Sequence, residues 1–469
     1  MSGQAARSQK RLTFIDPAEF TPQFAWKKSA GREDVEHVFC EGVDLFAAAE
    51  SFGTPAYVYS RTAFADAYEE FARGLSKIPH TICFAVKSNG NLSILQHLAK
   101  MGSGSDIVSG GELEHLGHLG VRGDRIVFSG VGKTREEIRA AMQYSPSGSE
   151  GRGKRGSKGI LLFNVESEAE LEVLLEESER NAARGGKIPS VAIRVNPDVA
   201  AGGHPHIATG SHTHKFGLDW PEARRLYLKH KDSRHLQWKG ISAHIGSQIV
   251  SLTPFRRAFR RIAGYVRELR RAGVELEYLD LGGGLGVRYT TEKNSSRVEY
   301  ARMVAGLVRP LGLHLLLEPG RSIIAASGIL LTRVIHTKRN RGKTFVVVDA
   351  AMNDLLRPAL YGAVHPITQI ARVAGRKKMA AERVDIVGPV CETGDCLLHN
   401  WPLGEVKPGD LLAIWVAGAY GMTQASNYNA RTRPSEVLID GKRSFLVRRR
   451  ETQGDLLRTD VLAAARRIR

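Results

Sequence analysis

The chain has 469 residues, of which 42% are hydrophobic and 25% are charged, and its formal net charge is +18. These totals are typical of a globular protein with room for two or three domains. No apolar run is long enough to span a membrane as a helix, which excludes an integral membrane protein of that kind. Residues 1–22 lack the apolar core of a signal peptide, and we therefore expect a cytoplasmic location.

Much of the positive charge is clustered. A Gly/Ser-rich stretch at 145–158 carries Arg152, Lys154, Arg155 and Lys158, and its composition indicates an insertion. No aromatic residues lie among these charges, and the sequence has no zinc-finger spacing or RNA-binding signature. We interpret the charge as a solvated surface, with binding of a polyanion as the alternative, and we expect no nucleic-acid partner.

The middle of the chain repeats one pattern eight times: a short apolar run ends in a polar or Gly residue, and a helix-like segment follows. The runs lie at 81–87, 104–109, 125–129, 159–164, 191–196, 240–244, 276–282 and 314–318. Ser109 with Glu112, and Ser167 with Glu170, have the spacing of a helix capping box. Eight such units over roughly 250 residues predict a (β/α)8 barrel, whose chemistry lies at the C-terminal ends of its strands. The residues that end the runs include Lys87, Ser109, Asn164, Asn196, His244 and Glu318.

After residue 327 the pattern becomes rich in strands without long helices between them. Apolar runs lie at 329–335, 344–348, 384–387 and 411–416, and the Asp440-Gly441 pair favours a tight hairpin. We therefore predict a (β/α)8 barrel plus a mostly antiparallel β domain. The predicted division is an N-terminal extension at 1–25, a first segment of the β domain at 26–58, the barrel at 59–325 with the basic insertion at 145–158, and the rest of the β domain at 326–469.

Several residues at the predicted strand ends have side chains suited to chemistry. Lys87 is expected to be partly desolvated, which favours the neutral amine that a nucleophile needs. Glu318 can either pair with Arg321 or keep the ring nitrogen of a pyridine cofactor protonated. His244 is either a core histidine or a residue that stacks on such a ring. The glycine-rich loop at 282–286 matches no complete phosphate-binding or dinucleotide motif, but its amides can approach a phosphate closely.

Six motifs together resemble the diaminopimelate decarboxylases, which are pyridoxal-phosphate enzymes with an alanine-racemase-like fold. In chain order they are Ala85-Val-Lys87-Ser-Asn, His244-Ile-Gly-Ser-Gln, Gly282-Gly-Gly-Leu-Gly286, Glu318-Pro-Gly-Arg321, Gly388-Pro-Val-Cys391-Glu392-Thr-Gly-Asp395 and Gly418-Ala-Tyr420-Gly-Met. They occur in the family's order from about residue 53 onward. Thr393 stands where Ser is commoner in the family, a change that keeps the hydroxyl group.

The resemblance implies a function and a site. The function is decarboxylation of meso-2,6-diaminopimelate to L-lysine and carbon dioxide, the last step of lysine biosynthesis, with pyridoxal 5'-phosphate held by Lys87 as an internal aldimine. Cys391 would protonate the carbon that has lost carbon dioxide. The implied cofactor-binding residues are Lys87, His244, Ser247, Gly283, Gly284, Glu318, Pro319, Gly320, Arg321 and Tyr420. The implied substrate-binding residues are Arg321, Arg357, Tyr361, Glu392 and Tyr420. The family works as a head-to-tail homodimer, in which Cys391 and Glu392 serve the partner's site.

Two alternatives to this function stay open at the level of sequence. The first is a decarboxylase of the same fold that acts on ornithine, arginine or a carboxylated polyamine. In such enzymes Asp usually follows the Cys, whereas Glu392 and Arg357 here favour a substrate that ends in both an ammonium and a carboxylate. The second alternative is a basic binding protein on an inactive barrel, or a carrier of pyridoxal phosphate. The presence of Lys87, Glu318 and Cys391 together argues against it.

The sequence also contains two groups of residues that could bind metal or form disulfides. Four cysteines form neither a disulfide framework nor a CxxC pair: Cys40, Cys83, Cys391 and Cys396. Cys83 lies in an apolar run and is expected to be buried. Four histidines lie close together and could bind zinc or nickel: His204, His206, His212 and His214. We interpret these histidines as surface residues and predict no metal site.

Overall fold

The first described elements are short strands and one helix. They are β1 (Phe24–Ser29), β2 (Arg32–Cys40), β3 (Val43–Asp44), α1 (Leu45–Phe52) and β4 (Ala56–Ser60). The structure is a computed structural model that describes residues 16–29, 32–146, 159–199, 215–293, 295–374 and 382–462. It divides the chain into two units, the first formed by 1–63, 289–291 and 326–469 and the second by 64–288 and 292–325. The basic residues at 152–158 and the histidines at 204–214 lie outside the described residues.

The second unit is a closed barrel of eight parallel strands. Each strand pairs with the next along the chain, and the last pairs with the first. The strands are β5 (His80–Ala85), β6 (Gly104–Ile107), β7 (Ile126–Phe128), β8 (Leu162–Val165), β9 (Ser190–Arg194), β10 (Gln237–Ser242), β11 (Tyr278–Asp280) and β12 (His314–Leu317). Each of the eight predicted runs overlaps one barrel strand, so the prediction of a (β/α)8 barrel is confirmed.

Helices alternate with the barrel strands. Helix α2 (Arg61–Leu75) precedes the barrel, and one helix follows each strand: α3 (Leu92–Lys100), α4 (Gly110–His118), α5 (Arg135–Met142), α6 (Glu168–Ala182), α7 (Trp220–Lys229), α8 (Leu252–Arg271), α9 (Arg297–Val308) and α10 (Arg321–Ile324). In α8, Phe255, Phe259, Ile262 and Val266 are buried at intervals of three and four residues. This spacing places one apolar face against the barrel, as expected for an amphipathic helix.

The predicted capping boxes form only in part. The hydroxyl of Ser109 accepts a hydrogen bond from the amide of Glu112, as predicted. The Glu112 carboxylate, however, accepts from the amide of Val108 and not from that of Ser109. Glu170 does the same with the amide of Glu166. Each carboxylate thus accepts from the amide of the residue before the N-cap serine, and not from the amide of the serine itself.

Strands dominate the first unit after the barrel. They are β13 (Gly328–Asn340), β14 (Lys343–Val348), β15 (Ile367–Gln369), β16 (Ala371–Val373), β17 (Glu382–Val387), β18 (Cys396–Leu403), β19 (Leu411–Ile414), β20 (Ser435–Asp440) and β21 (Arg443–Arg448), with the short helices α11 (Arg357–Tyr361) and α12 (Gln453–Leu457). One sheet follows the order β18-β17-β14-β13-β4-β20-β21, with β19 on β13 and β15 on β19, and a smaller sheet joins β1, β2, β3 and β16. Among the described strand pairs of the first unit, β14–β17 and β20–β4 are parallel and the others are antiparallel. The prediction of a mostly antiparallel domain is therefore confirmed.

The predicted hairpin joins β20 to β21. Asp440 pairs with Arg443, which leaves Gly441 and Lys442 as a two-residue loop. Gly441 has φ 63°, a value that an L side chain rarely adopts, and glycine at the first loop position is typical of a type II′ turn. The Asp-Gly pair therefore marks the hairpin, although Asp440 is the last strand residue and not part of the loop.

Two further observations concern the surface and the insertion. Among the described helices, none is both long and apolar enough to cross a membrane. The amide of Gly159 donates a hydrogen bond of 2.9 Å to the carbonyl of Tyr144, so the two ends of the stretch at 145–158 lie side by side. An insertion at this place leaves the flanking βα units in register.

Candidate active site

Three buried carboxyl groups lie at the C-terminal end of the barrel. Asp106 belongs to β6, Asp280 ends β11 and Glu318 directly follows β12, and each is at most 8% exposed. The side-chain amide of Asn164 donates to Asp280 Oδ2 at 2.6 Å, and the hydroxyl of Ser129 donates to Glu318 Oε1 at 3.2 Å. Five strand ends thus contribute side chains to one polar layer that water does not reach.

Burial changes the proton affinity of these acids. Burial raises the pKa of Glu318 well above its ordinary value, and the nearby charges of Asp106 and Asp280 raise it further. Burial also raises the pKa of Asp280, although hydrogen bonds from Glu318, Gly282 and Asn164 oppose the shift. Because this layer holds more acidic groups than cations, it is suited to a positively charged ring nitrogen placed against Glu318.

Lys87 lies in a short 3-10 turn, Val86–Ser88, that follows β5. Its side chain is 37% exposed and forms an ion pair with the completely buried Asp106. Partial desolvation of Lys87 was expected and is found, but the expected neutral amine is not favoured in this arrangement. The ion pair stabilises the protonated form of Lys87. The neutral, nucleophilic amine therefore forms only when the contact to Asp106 is broken or when Lys87 loses its proton.

His244 follows β10 and faces the glycine-rich loop. Its Nδ1 accepts a hydrogen bond of 3.1 Å from the amide of Gly283. Burial lowers the pKa of His244 well below its ordinary value, and the charges of Arg194 and Lys87 lower it further. The ring is therefore neutral, with its proton on Nε2, and it can lie against an aromatic ring without bringing another cation to the site.

The glycines of the loop are required by close backbone contacts. A Cβ atom on Gly283 would lie 2.2 Å from the carbonyl oxygen of Glu318, and one on Gly284 would lie 2.3 Å from that of Gly246. Gly320 is equally restricted, since a Cβ there would lie 2.8 Å from the hydroxyl of Ser88. The loop therefore presents backbone amides without side chains, which is the requirement for close approach of a phosphate.

Arg321 and Ser247 lie beside this loop. The Arg321 guanidinium is 7% exposed, and its Nε and Nη2 lie 3.4 and 3.2 Å from the hydroxyl oxygen of Ser247. Pro319 contributes its carbonyl, which accepts from the amide of Ala85 and joins β12 to β5. The guanidinium, the hydroxyl and the backbone of the glycine loop together form a polar surface that suits a phosphate dianion.

In the first unit, Arg357 is the buried cation of the predicted substrate site. Its Nη1 donates to the hydroxyl of Tyr289 at 2.8 Å and to Nε2 of His365 at 3.1 Å. His365 Nδ1 in turn donates to the carbonyl of Trp415, which fixes Nε2 as the acceptor. The Nε of Arg357 is buried and has no hydrogen-bond partner among the described residues. A buried donor of this kind is costly unless a ligand such as a carboxylate satisfies it.

The loop with Cys391 and Glu392 is exposed, and Asp395 joins its start to a neighbouring segment. The two carboxylate oxygens of Asp395 accept from the amides of Met352 and Val390, each at 2.7 Å. The amide of Cys391 donates to the side chain of Asn429 at 2.9 Å. The loop is thus held rigidly by its backbone while the thiol of Cys391 and the carboxylate of Glu392 point outward from this chain.

The two tyrosines of the predicted site also lie in the first unit. Tyr361 is the last residue of α11, and its hydroxyl accepts from the side chain of Gln424 at 3.4 Å. Tyr420 has φ 57°, a strained conformation for a residue with a side chain. Such strain is commonly retained where a side chain must be aimed at a site.

Sequence reasoning missed several members of these groups. Asp106, Ser129, Asp280 and His365 support the predicted residues but were not singled out as site residues. Asp106, Ser129 and Asp280 all fall in predicted barrel runs, so their polarity within otherwise apolar strands was a usable signal. His365 offered no signal, because only the folded chain brings it to Arg357.

The residues present fit pyridoxal phosphate. The barrel unit supplies a lysine for the aldehyde, a buried acid layer for the ring nitrogen, a neutral imidazole, and a phosphate donor set of amides with Arg321 and Ser247. Asp106 Oδ1 and Asn164 Oδ1 are buried without a hydrogen-bond partner among the described residues. The polar layer therefore has two acceptor atoms that a ligand could satisfy. Fold and site together define a barrel enzyme of the pyridoxal-phosphate-dependent class.

Comparison with known proteins agrees with this class. Residues 61–325 match the family model described as pyridoxal-dependent decarboxylase, pyridoxal binding domain. The diaminopimelate decarboxylase of Pseudomonas aeruginosa is 46% identical over 419 residues, which cover 89% of this chain and 95% of that protein. The enzyme of Neisseria meningitidis serogroup A is 45% identical over 415 residues, 88% and 97% of the two chains.

Solved structures give the same result. Diaminopimelate decarboxylase from Helicobacter pylori, complexed with L-lysine, superposes with a TM-score of 0.81 at 37% identity and covers 88% of this chain and 98% of that one. The enzyme from M. jannaschii in co-complex with L-lysine has a TM-score of 0.82 at 35% identity, with 93% and 98% covered. The chain belongs to the diaminopimelate decarboxylase family of pyridoxal-dependent decarboxylases.

Proposed function

We propose that this chain decarboxylates meso-2,6-diaminopimelate to L-lysine and carbon dioxide. The observation that carries the proposal is the buried acid layer of Glu318, Asp280 and Asp106 next to Lys87. This layer would keep a ring nitrogen at the end of the barrel protonated, and a protonated ring can accept electrons from a breaking bond. The choice of substrate is supported by relatives of this name that match the chain over most of its length.

Each part of the barrel site has a role toward the cofactor. Lys87 would hold it covalently, Glu318 and Pro319 would lie at its ring nitrogen edge, and His244 would lie against its ring. The phosphate would be bound by Ser247, Gly283, Gly284, Gly320, Arg321 and Tyr420. When bound, pyridoxal phosphate supplies an aldehyde that joins the substrate amine and a protonated ring that accepts the electrons left when carbon dioxide departs.

Glu318 would control the charge of the ring. Burial raises its pKa well above the ordinary value, so it would hold a proton in a hydrogen bond with a ring nitrogen placed against it. Ser129 donates to Glu318, and Asn164 donates to both Ser129 and Asp280, so the carboxyl belongs to a connected hydrogen-bond network. Water is excluded from this layer, which strengthens the interaction.

Residues of the first unit would hold the end of the substrate that does not react. Arg357, held by Tyr289 and His365, would offer its buried Nε to the distal carboxylate, with Tyr361 and Tyr420 as further donors. Arg321 of the barrel unit is also proposed to bind the substrate. Glu392 would bind the distal ammonium. A substrate without the distal carboxylate, such as ornithine, leaves Arg357 with a buried donor that nothing satisfies, and it is therefore disfavoured.

Cys391 would complete the reaction by giving its thiol proton to the carbon that has lost carbon dioxide. The bond between that carbon and the carboxylate breaks, and a C–H bond replaces it. We further propose a homodimer in which Cys391 and Glu392 serve the site of the partner subunit, which suits their exposure in a single chain. A cytoplasmic location stays a prediction.

The test is a comparison of substrates. Purified protein reconstituted with pyridoxal phosphate is incubated with meso-diaminopimelate, L-ornithine, L-arginine and L-lysine, and the release of carbon dioxide and the amine products are measured. We expect L-lysine from meso-diaminopimelate at a kcat/KM at least about a hundredfold above that for the other three. Faster turnover of ornithine or arginine would support the alternative decarboxylase. Cofactor binding without turnover of any of them would support a carrier.

A further inference from the structure

Three side chains with metal-ligating atoms lie together on two neighbouring strands of the first unit. They are Asp385 on β17 and Cys396 and His399 on β18. His399 Nδ1 lies 2.8 Å from Asp385 Oδ2 and 3.2 Å from Cys396 Sγ, and all three atoms lie within 4.8 Å of one another. None of these residues has a role in the proposed decarboxylation.

The strand geometry explains how Cys396 and His399 reach the same carboxylate. Side chains three residues apart on a regular strand point to opposite faces. The pairing of β17 with β18 shifts register between Val384 and Ile386, so that His399 and Asn400 together face the single residue Asp385. Asn400 has φ 49°, as expected at such a bulge. The bulge turns His399 back toward Asp385 and Cys396.

We propose that Asp385, Cys396 and His399 bind a divalent transition-metal ion, for which Zn²⁺ is the best suited. One sulfur, one imidazole nitrogen and one carboxylate oxygen form a donor set that zinc accepts in tetrahedral sites, with water as the fourth ligand. A tetrahedral zinc ion requires these ligand atoms to be about 3.3–3.6 Å apart. The side chain of His399 is 64% exposed and can shift to open its two short contacts to that spacing.

A different use of the thiol is disfavoured by the same geometry. A histidine that activates a cysteine needs one ring nitrogen for the thiol and the other for a carboxylate. Here Cys396 and Asp385 both face Nδ1 of His399, so the ring cannot pass a proton from one to the other. Burial raises the pKa of the Cys396 thiol to about 12, which leaves it a poor nucleophile without an ion.

Lys343 is the one described cation that competes for this site. Its ammonium lies 2.6 Å from Asp385 Oδ2, the oxygen that also contacts His399, and its side chain is 53% exposed. A metal ion would displace this exposed lysine into solvent. Lys343→Gln, which removes the lysine charge, should therefore increase metal affinity. If Asp385 had only a structural role, the same change would remove an ion pair and have no effect on metal binding.

The position of the site suggests what an ion would do. Cys396 directly follows Asp395, whose carboxylate accepts from Val390 at the start of the Cys391 loop and from Met352 in a neighbouring segment. An ion that links β17 to the first residue of β18 would stabilise the strand end from which this loop projects. Its effect on stability follows from mass action, since the ion binds the folded chain and not the separated ligands.

The experiment uses the untagged holoenzyme and Co²⁺ as the spectroscopic probe. Tetrahedral Co²⁺ with a thiolate ligand has ligand-field bands in the red, beyond the absorption of pyridoxal phosphate, and ligation by nitrogen and oxygen alone moves these bands to shorter wavelength and weakens them. We expect red absorption that saturates at about one Co²⁺ per chain and is bleached by Zn²⁺. Cys396→Ser should abolish the red absorption. His399→Asn should weaken Zn²⁺ binding by roughly 100-fold or more.

Three controls make the result decisive. Cys391→Ser, the other accessible thiol, and the four-fold change of His204, His206, His212 and His214 to Asn should leave the red band unchanged. Lys343→Gln should shift the titration to lower Co²⁺, and Zn²⁺ should raise the melting temperature of the wild type but not of His399→Asn. Because His399 is exposed, that variant should fold. Absence of the band in the wild type, or its persistence in Cys396→Ser, would overturn the proposal.

Discussion

Lys87 and Asp106 form an ion pair in which one partner is 37% exposed and the other is completely buried. A buried carboxylate with a single cationic partner is strongly destabilised when that partner is removed. Asp106 therefore has two roles. It forms an ion pair with Lys87 in the cofactor-free protein, and its negative charge raises the pKa of Glu318. The pair also explains why Lys87 is held at the strand end and does not extend into solvent.

The first prediction follows from that pair. Lys87→Ala should lose all measurable turnover and the covalent cofactor absorbance, because Lys87 is the amine that pairs with a carboxylate of the acid layer and is partly exposed. Borohydride reduction of the wild-type enzyme, followed by peptide mapping, should place the cofactor on the peptide that contains Lys87. Lys100→Ala, an exposed lysine at the end of the next helix, is the matched control and should behave as wild type. A label on another lysine would contradict the assignment.

The second prediction concerns turnover in a Glu318 variant. Glu318→Gln should still bind the cofactor but lose about 10²-fold or more in kcat, because the amide cannot keep the ring nitrogen protonated. KM for meso-diaminopimelate should change much less, since Glu318 does not contact the distal end of the substrate. Steady-state kinetics with saturating cofactor give both constants. Near-normal kcat in this variant would show that the ring charge is controlled elsewhere.

A third prediction uses the raised pKa of Glu318 in the cofactor-free protein. The folded state keeps a proton that the unfolded state releases near its ordinary pKa of about 4.3, so the stability contribution is complete below that pH and decreases as pH rises toward the folded pKa. The Glu318→Gln variant has no titrating group at this position, so its stability does not show this decrease as pH rises. We expect the melting temperature of the variant minus that of the wild type to increase from pH 4 to neutral pH. Parallel curves would rule out the shift.

Most of the fold and the site centre could be predicted from the sequence. Each barrel strand is a short apolar run with a polar end, and the six motifs carry the residues that we propose bind the cofactor and the substrate. What could not be predicted depends on tertiary contacts. Lys87 gave no sign that its partner is Asp106, because the two lie on different strands. The Asp440-Gly441 pair predicted the β20–β21 hairpin but not that Asp440 ends the strand, and the register shift opposite Asp385 gave no signal, since both depend on pairing between strands.

The fourth prediction tests the substrate end of the site. Arg357→Met should raise KM for meso-diaminopimelate by roughly 10- to 100-fold, the effect of losing one charged hydrogen-bonding partner. The spectrum of the bound cofactor should not change, which separates this effect from a loss of cofactor. His365→Gln keeps a hydrogen-bonding side chain next to Arg357 and should give a smaller rise in KM. Equal KM values for Arg357→Met and the wild type would remove Arg357 from the substrate site.

The last prediction concerns the proposed dimeric site and begins with the positions of its two proposed catalytic groups. Lys87 follows the first barrel strand, and Cys391 belongs to an exposed loop of the other unit, about 300 residues later in the chain. If Cys391 serves the partner subunit, a chain without Lys87 and a chain without Cys391 have complementary defects. Mixed dimers can then be distinguished from parent dimers by activity.

Lys87→Ala and Cys391→Ala chains, each nearly inactive, are mixed under conditions in which subunits exchange, and a size tag on one chain verifies the exchange. A mixed two-fold dimer has one site with both defects and one site with neither. Random pairing makes half of the dimers mixed, so activity should recover to roughly a quarter of the wild-type value. If Cys391 acted within its own chain, every site would keep one defect. Proven exchange with activity at the level of the single variants would therefore refute the shared site.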